Sequence, residues 1–437
     1  MKRVALFSAH FPPSNFASVH RPRLWAQYLH EFGWKPVVVT THWRYYEETP
    51  DWELCELLDP ALEIVRTPAF PTKPLRLVGD IGIRGLPWHL TALRRLIRKV
   101  KIDFLHITVP SFFSAILGEL IFRNQPIAFG IDFQDPWVHE APQARRRFTK
   151  AWTSLKMGET LEPWAVRHAS LITGITEGYY SGVLERNPHL HAQTVTAAMP
   201  LGNSARDFEI IASRPRPPYL FDPNDGAFHM VYAGVLLPRA EGVLNRLFAA
   251  LAHMKIESPD VFSRLRIHFV GTGRSSMDPK GYNILPRSVP FGLHSIVTEH
   301  PQRVSYVDVL SHLTQASAIL ILGSTERHYS PSKVYQSIQA RRPVFALLHE
   351  ASTALQVLDK SNAGVVVRLS ETALPEPQEL ASKLASFVRN SEYIPERINW
   401  SSFEAFSARE SARKLALALD AASERFKCHT DLCDSLS

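Results

Sequence analysis

The chain has 437 residues, of which 45% are hydrophobic and 21% are charged, and its formal net charge is +7. This length exceeds one ordinary hydrophobic core, so we expect two domains, and the apolar content excludes a disordered chain. The basic balance suits anionic partners such as nucleotide diphosphates, phospholipid surfaces or nucleic acid, without choosing among them.

Cysteine content and the amino terminus bear on the compartment. Only Cys55, Cys428 and Cys433 occur, and their odd number and irregular spacing argue against a disulfide framework or a structural zinc site. The first residues, MKRVALFSAHFPP, predict a core strand rather than a signal peptide, because a Pro-Pro pair ends the apolar run. No segment approaches the roughly 18 apolar residues of a membrane-spanning helix. The sequence predicts a soluble, cytoplasmic protein that at most lies on a membrane surface.

The first half alternates short apolar runs with helical patterns. Residues 4–8 and 37–40 are predicted strands, and between them apolar residues recur at helical spacing from Leu24 to Phe32, with Pro22 in the first turn and Gly33 after the end. Continuous apolar runs of this kind are typical of buried parallel strands. Further strands are predicted at 104–108, 127–133, 171–173 and 194–198.

A proline-rich segment interrupts this rhythm, which then begins again. We predict a domain of residues 1–212, a linker at 213–228, a second domain of residues 229–400, and a last helix at about 402–426 with a polar tail within residues 401–437. Strands of the second domain are predicted at 230–233, 267–270, 304–306, 319–322, 344–347 and 365–367, with helices at 244–252 and 307–315 among them. The pattern predicts two consecutive doubly wound α/β domains.

The segment after residues 319–322 is the strongest site candidate, because ligands of open α/β sheets bind outside the carboxyl ends of strands. Pro331 suits the first position of a helix, which would leave the N–H groups of Ser332, Lys333 and Val334 free. A helix start with free N–H groups and a lysine is a fitting diphosphate site. The alternative is a capped helix with a solvated lysine.

This segment also carries a resemblance. The run SPSKVYQSIQARRPVFAL, beginning at Ser330, resembles the donor-binding segment of family 4-like glycosyltransferases of the group 1 type. Further similar pieces follow the family's order across roughly residues 1–425: FPP at 11–13 with Arg21 after it, DFQDPW at 132–137, YAG at 232–234 and FVGTG at 269–273.

The resemblance implies a GT-B fold, in which two Rossmann-like doubly wound domains face a cleft. It implies a nucleotide-sugar donor on the second domain and a glycan, lipid-linked or other acceptor on the first. Sugar transfer would retain the anomeric configuration and use no metal and no cofactor, since the nucleotide-sugar is a substrate. Two other functions stay open: a nucleotide-sugar epimerase of the same fold, and a catalytically weak nucleotide-sugar-binding protein.

Site residues are carried over by matching position. Lys333 would contact the donor phosphates, and Asp135 would face the reacting sugar; both are the catalytic candidates. The predicted donor-binding set is Gly234, Arg239, Gly271, Gly273, Ser330, Pro331, Ser332, Lys333 and Gln336. The predicted acceptor side consists of Asn15, Arg21 and His106.

Structural alternatives accompany several of these residues. Asp135 also fits an N-cap or an Asp-Pro turn, and Gly271 and Gly273 fit a tight turn, since the third glycine of a dinucleotide fingerprint is missing. His106 also fits a hydrogen-bonded core position. No metal site is expected, because no histidine pair shows ligand spacing on one helix with a carboxylate partner.

The sequence departs from the family pattern at four positions. His328 and Gln336 stand where many relatives have two glutamates, and Glu241 stands where a lysine is common before Gly242. Arg341 replaces a usual glycine. These changes bear on catalytic efficiency rather than on the fold.

Two basic clusters in the first half make an anionic membrane surface a candidate partner. The first cluster interleaves apolar residues with basic ones: Trp88, Leu90, Leu93, Leu96 and Ile97 with Arg94, Arg95, Arg98, Lys99 and Lys101. The second cluster comprises Arg145, Arg146, Arg147, Lys150, Trp152 and Lys156. The alternative is that the apolar residues pack on the sheet while the basic ones face water. No nucleic-acid motif accompanies these charges, so no nucleic acid partner is expected.

Overall fold

A computed structural model describes residues 1–74, 76, 78–138, 147–273, 281–326, 329 and 331–435, without the side chains of 150 and 429–435. Two compact units are present. The first comprises Met1–Gly202 together with Ala408–Ser437, and the second comprises Asn203–Ser407.

The first unit is built on a seven-stranded sheet in which every neighbouring pair is parallel. The strand order is β3-β2-β1-β4-β5-β6-β7. The strands are β1 (Lys2–Ser8), β2 (Trp34–Thr41), β3 (Glu63–Thr67), β4 (Phe104–Thr108), β5 (Phe129–Phe133), β6 (Leu171–Gly174) and β7 (Val195–Ala198). The central strands are buried and mostly apolar because helices cover both faces, and Val4 to Phe7 have no exposed surface.

Helices connect these strands. Those of the first unit are α1 (His20–Tyr28), α2 (Ile81–Lys99), α3 (Ile116–Phe122), α4 (Lys150–Ala165), α5 (Ser181–Arg186) and α6 (Leu190–Gln193). Gly33 ends the first helical segment at φ 83°, as predicted. Strand β3 was not predicted: it is the sheet edge, its residues are mostly half-exposed, and so its sequence EIVRT lacks an apolar run.

The second unit carries a six-stranded parallel sheet of order β10-β9-β8-β11-β12-β13. Its strands are β8 (Phe228–Ala233), β9 (Leu265–Val270), β10 (Val297–His300), β11 (Ala318–Leu322), β12 (Val344–His349) and β13 (Val365–Leu369). Its helices are α7 (Ala205–Ser213), α8 (Glu241–Glu257), α9 (Pro259–Arg264), α10 (Leu285–Ser288), α11 (Tyr306–Gln315), α12 (Lys333–Gln339), α13 (Thr353–Ser361), α14 (Pro377–Asn390) and α15 (Trp400–Glu404). The two sheets confirm the predicted pair of doubly wound α/β folds.

One predicted strand is wrong. Residues 304–306 lead into α11, because the Ser305 hydroxyl accepts a hydrogen bond from the Asp308 N–H and begins a helix there. The strand of this region is β10 instead, which pairs with β9 at the sheet edge.

The last helix, α16 (Ala408–Ser435), returns to the first unit. The indole N–H of Trp25 donates to Ser411 Oγ at 3.1 Å, and that of Trp34 donates to Asp420 Oδ1 at 3.0 Å. Leu415 and Leu419 have no exposed surface and share a core cluster with both tryptophans. This helix therefore belongs to the hydrophobic core of the first unit.

Helix α2 carries the first predicted membrane cluster. Leu93 and Leu96 are buried in the core, whereas Arg95, Arg98 and Lys99 face solvent, so the apolar side of this helix packs on the sheet. This arrangement corrects the expectation that these apolar residues enter a membrane. Arg145 and Arg146 of the second cluster lie outside the described residues. In the described part of the chain, no helix is long and apolar enough to cross a membrane.

Candidate functional site

The second sheet reverses its strand order between β8 and β11. Strands β9 and β10 lie beyond β8 on one side, and β12 and β13 lie beyond β11 on the other. In open α/β sheets such a reversal opens a crevice at the carboxyl ends of the strands, where ligands bind. Gly234 follows β8 at this point, and Gly323 follows β11.

Lys333 reaches this crevice from the start of α12. Its Nζ lies 3.7 Å from the centre of the Tyr232 ring on β8. Gly234 has a φ of 111°, and a Cβ built on it would lie 3.4 Å from the same nitrogen. A side chain at position 234 would therefore be strained and would crowd the lysine, so the glycine keeps this space open.

The Lys333 amine has no hydrogen-bond or carboxylate partner among the residues described, and no exposed surface. Burial lowers its pKa to about 7. An anionic ligand would stabilise the protonated form of this enclosed amine, because it would supply both a negative charge and hydrogen-bond acceptors. To reach such a ligand, Lys333 must rotate off the ring of Tyr232.

The start of α12 differs from the prediction. The helix begins at Lys333 rather than at Pro331 and has seven residues. The N–H of Val334 donates to Pro331 O at 3.3 Å, so it is not free as expected. Of the three N–H groups predicted to be free, that of Val334 is bonded within the helix start, and the clearest feature that this segment offers to a ligand is the side chain of Lys333.

Gly271 and Gly273 form a tight turn after β9. Gly271 has a φ of 68°, and its N–H donates to His300 O at 2.8 Å. A Cβ on Gly273 would lie 2.4 Å from Pro301 O, so this position requires glycine. The turn is organised by a residue that the sequence did not reveal, Glu299, which accepts hydrogen bonds from Thr272 Oγ1 at 2.6 Å and from three backbone N–H groups at 283–285.

Two charged residues after β8 pair with neighbours. Arg239 donates to Glu326 Oε2 at 2.9 Å, with both side chains about half exposed. Glu241 accepts a hydrogen bond from Arg287 at 2.7 Å in the first turn of α8. The Glu241 carboxylate is thus held by an arginine and suits the positive end of a helix.

The remaining donor-side candidates differ in how deeply they are buried. Pro331 is buried, Ser332 is half-buried, and Gln336 Oε1 is buried without a partner among the described residues. Ser330 and His328 lie outside the described residues.

In the first unit, Arg21 is a structural residue. Its guanidinium binds both oxygens of Asp132 at 2.8 and 2.9 Å, and it also donates to Met199 O at 2.7 Å. Neither side chain of the pair is exposed. This burial corrects the expectation that Arg21 contacts an acceptor: it ties α1 to the end of β5 and to the segment after β7.

His106 is also enclosed. It has no exposed surface, both ring nitrogens lack partners among the described residues, and the Trp25 ring lies 5.4 Å away. Burial lowers its pKa to about 4. An acceptor contact and a hydrogen-bonded core position are both contradicted. By contrast, Asn15 is half-buried and Asp135 is exposed, so both can reach a ligand.

A polar cluster after β1 escaped the sequence analysis. His10 Nδ1 lies 2.9 Å from Glu48 Oε1, and Ser14 Oγ donates to the same oxygen. Burial works against ionisation of Glu48, but hydrogen bonds from His10 and Ser14 outweigh it and lower its pKa. The only sequence signal was the position of His10 and Ser14 just after a strand, since Glu48 is distant in sequence. Within the described ranges, no three histidine, cysteine or acidic residues group to hold a metal ion.

Comparison with known proteins gives a fold but no sequence family. No protein-family model matches the chain, and no curated protein matches it by sequence. The α,α-trehalose-phosphate synthase (UDP-forming) of Burkholderia xenovorans, solved with glucose-6-phosphate, is similar in structure with a TM-score of 0.60 at 10% identity, over 96% of this chain and 100% of that one.

Two further solved structures cover 100% of both chains. HepE of Anabaena, solved with UDP and glucose, has a TM-score of 0.56 at 12% identity. The sucrose-phosphate synthase of Thermosynechococcus elongatus has a TM-score of 0.53 at 14% identity. Together with the two parallel sheets described above, these likenesses show that the chain has the GT-B fold.

Proposed function

We propose that this chain is a glycosyltransferase that moves a sugar from a nucleotide-sugar donor to a hydroxyl of a glycan, lipid-linked or other acceptor. Transfer proceeds with retention and without a metal. The observation that carries the proposal is Lys333, an enclosed amine without a partner at the carboxyl edge of the second sheet.

Sugar transfer from a nucleotide-sugar breaks the bond between the anomeric carbon and the diphosphate. Negative charge then grows on the departing diphosphate, and a cation placed beside it lowers the barrier. A protonated Lys333 rotated off Tyr232 supplies that cation. Gly234 leaves room for the phosphates to approach the backbone, and the unpartnered Gln336 Oε1 accepts a hydrogen bond from a donor hydroxyl.

The neighbours in fold suggest which donors to test first. HepE was solved with UDP-glucose as well as with UDP, and the trehalose-phosphate synthases are UDP-forming. We therefore propose a uridine diphosphate sugar as the first donor class.

Calorimetric titration with UDP and with uridine tests the site. We expect Lys333→Ala to weaken UDP binding by about 1.5–3 kcal/mol and to leave uridine binding unchanged, because the lost contact is charge-assisted and involves the phosphates. Lys255→Ala is the matched control, since this exposed lysine of the same unit donates to Gly292 O at 3.4 Å and lies on α8, away from Lys333. Equal UDP affinities of wild type and Lys333→Ala would remove Lys333 from the site.

Product analysis with a donor panel tests the reaction. Transfer, or slow hydrolysis of the donor, supports the glycosyltransferase. An isomerised sugar nucleotide would instead identify an epimerase, and tight binding without turnover would identify a nucleotide-sugar-binding protein. Glu241 gives no reason to prefer the last alternative, because its charge is held by Arg287.

A further inference from the structure

A second cavity lies in the second unit, at the amino ends of β12 and β13. Its volume is about 530 Å³, and the first residues of both strands, Val344 and Val365, form part of its wall. Lys333 and the glycines after β8 and β9 are not among its lining residues. This volume is typical of small-molecule sites.

The lining combines apolar walls with a positive rim. Phe387 and Ile394 contribute apolar surface to the lining. Three basic residues and one acidic residue also line the cavity: Arg342, Lys383 and Arg397, and Glu392. Lys383 is paired with Glu379, so the excess charge comes from the two arginines. Within the described residues, the guanidinium of Arg397 makes no hydrogen bond or ion pair, and that of Arg342 makes a single hydrogen bond, from Nε to Thr314 O. A rim of this kind favours an anion.

Two hydroxyl groups of the lining residues lack partners. Ser391 Oγ and the phenol oxygen of Tyr393 are enclosed and have no hydrogen-bond partner in the described part of the chain. Burial raises the pKa of Tyr393, and the positive charge of Arg341 opposes that rise. Enclosed hydroxyls without partners are unfavourable, and hydroxyl groups of a ligand would relieve this.

Backbone strain marks the same place. Arg341 has a φ of 56°, a left-handed conformation that glycine adopts without cost. An arginine pays a steric cost in this conformation, because its Cβ lies close to the following carbonyl oxygen. Strain of this kind concentrates at functional sites. Arg341 precedes Arg342 of the rim, its charge acts on Tyr393, and its guanidinium lies 5.5 Å from the centre of the Trp400 ring.

We propose that this cavity binds a phosphate monoester carried on a hydroxylated ring. Arg342 and Arg397 of the rim bind the phosphate together with the neighbouring Arg341. Ser391 and Tyr393 turn their enclosed hydroxyls into the cavity to bind ring hydroxyls, and the apolar wall packs against the ring. The site is separate from the proposed donor site and does not depend on it. Sugar phosphates and nucleoside monophosphates share this chemistry.

Calorimetry on the full chain tests the proposal with glucose 6-phosphate and AMP as the two probes. Glucose, adenosine and inorganic phosphate serve as partial probes that lack either the charge or the ring. We expect one of the two phosphate monoesters to bind at least about tenfold more tightly than its parts, because the ring and phosphate contacts act together. The preferred probe identifies the source.

Variants locate the site. Arg341→Gly relieves the strained φ but also removes the contact of the guanidinium with the Trp400 ring, so thermal unfolding checks that the variant is folded; we expect about tenfold weaker binding of the probe. Arg397→Ala should weaken binding to a similar extent. Arg368→Ala is the control, because this exposed arginine on β13 pairs with Asp359 and does not line the cavity.

Three results would overturn the proposal. The first is that neither probe binds at millimolar concentration, and the second is that inorganic phosphate binds as tightly as both probes. The third is that Lys333→Ala abolishes probe binding while Arg341→Gly and Arg397→Ala leave it intact. Binding that survives Lys333→Ala and is weakened by both arginine variants supports it.

Discussion

The amine of Lys333 rests 3.7 Å from the centre of the Tyr232 ring, and that ring is its closest favourable contact in the described residues. A cation–π contact stabilises the protonated form only in part, and burial lowers the pKa of Lys333 to about 7. The lysine is therefore partly neutral at physiological pH, and its charge depends on what binds beside it. A diphosphate would restore that charge.

Binding of UDP should take up a proton at mildly alkaline pH. At about pH 8.5 the free protein holds Lys333 mostly neutral, whereas a bound diphosphate raises its pKa and protonates it. Titrations in buffers of different ionisation enthalpy should show an apparent enthalpy that changes with the buffer. The dependence should vanish in Lys333→Ala and persist in Lys255→Ala; a buffer-independent enthalpy in the wild type would contradict the assignment.

Asp135 and Asp132 should respond oppositely to replacement by asparagine. Asp135 is exposed, so we expect Asp135→Asn to fold normally, bind UDP normally and lose turnover. Asp132→Asn removes the charge opposite buried Arg21 and should cost about 3–5 kcal/mol of stability. Thermal unfolding and donor turnover of the two variants measure this. Normal turnover by Asp135→Asn would remove it from catalysis.

Helix α16 should be essential to the first unit. We expect Leu415→Ala to lower the free energy of unfolding by about 2–5 kcal/mol, because the side chain is fully buried beside Trp25 and Trp34. Leu417, two residues further on the same helix, is 55% exposed, so Leu417→Ala should change stability by less than about 0.5 kcal/mol. Equal effects in chemical denaturation would show that α16 does not pack as described.

Stability should fall on acidification through buried histidines of the second unit. His268 contacts His229 at 2.9 Å and Thr298 at 2.8 Å, and burial, together with the charges of His229 and His312, lowers its pKa to about 4. An unfolded histidine takes up its proton near pH 6.5, so between about pH 6.5 and 4 the unfolded state binds more protons and native stability declines as pH falls.

Replacing His268 distinguishes its own contribution to the acid sensitivity of native stability from the contribution of other groups. His268→Gln should flatten the decline of stability by up to about 1.4 kcal/mol per pH unit in this window. The exposed His294 provides the control, and His294→Gln should leave the slope unchanged. A slope that His268→Gln does not alter would mean that other groups cause the acid sensitivity.

The sequence by itself determined the class of fold and the region of the candidate donor site. Strands β1 and β11 are buried on both faces over residues 4–7 and Ala318–Leu322, so these residues form uninterrupted apolar runs that stand out without any knowledge of their neighbours. Because the strands are parallel, a residue shortly after a strand lies at the carboxyl edge. This rule pointed to the segment of Lys333, and the family resemblance added Gly234.

Other features depend on contacts between residues far apart in the chain, and only the tertiary structure decided them. Arg21 was placed on the acceptor side by the family resemblance and His106 by its position in a strand, and neither signal reveals the partner Asp132 or the covering Trp25. The edge strand β3 has no buried pattern of its own, and it pairs only because β2 offers a free edge.

The carboxyl-terminal helix shows the same limit. Its apolar spacing predicts a helix with one buried side, but periodicity does not say which domain supplies the covering surface. Trp25 and Trp34 decide it, since their indole N–H groups bond to Ser411 and Asp420 across nearly the whole length of the chain. Local sequence thus determined which segments are helices and strands, and burial of their apolar surfaces against distant segments determined which polar groups stay free to bind a ligand.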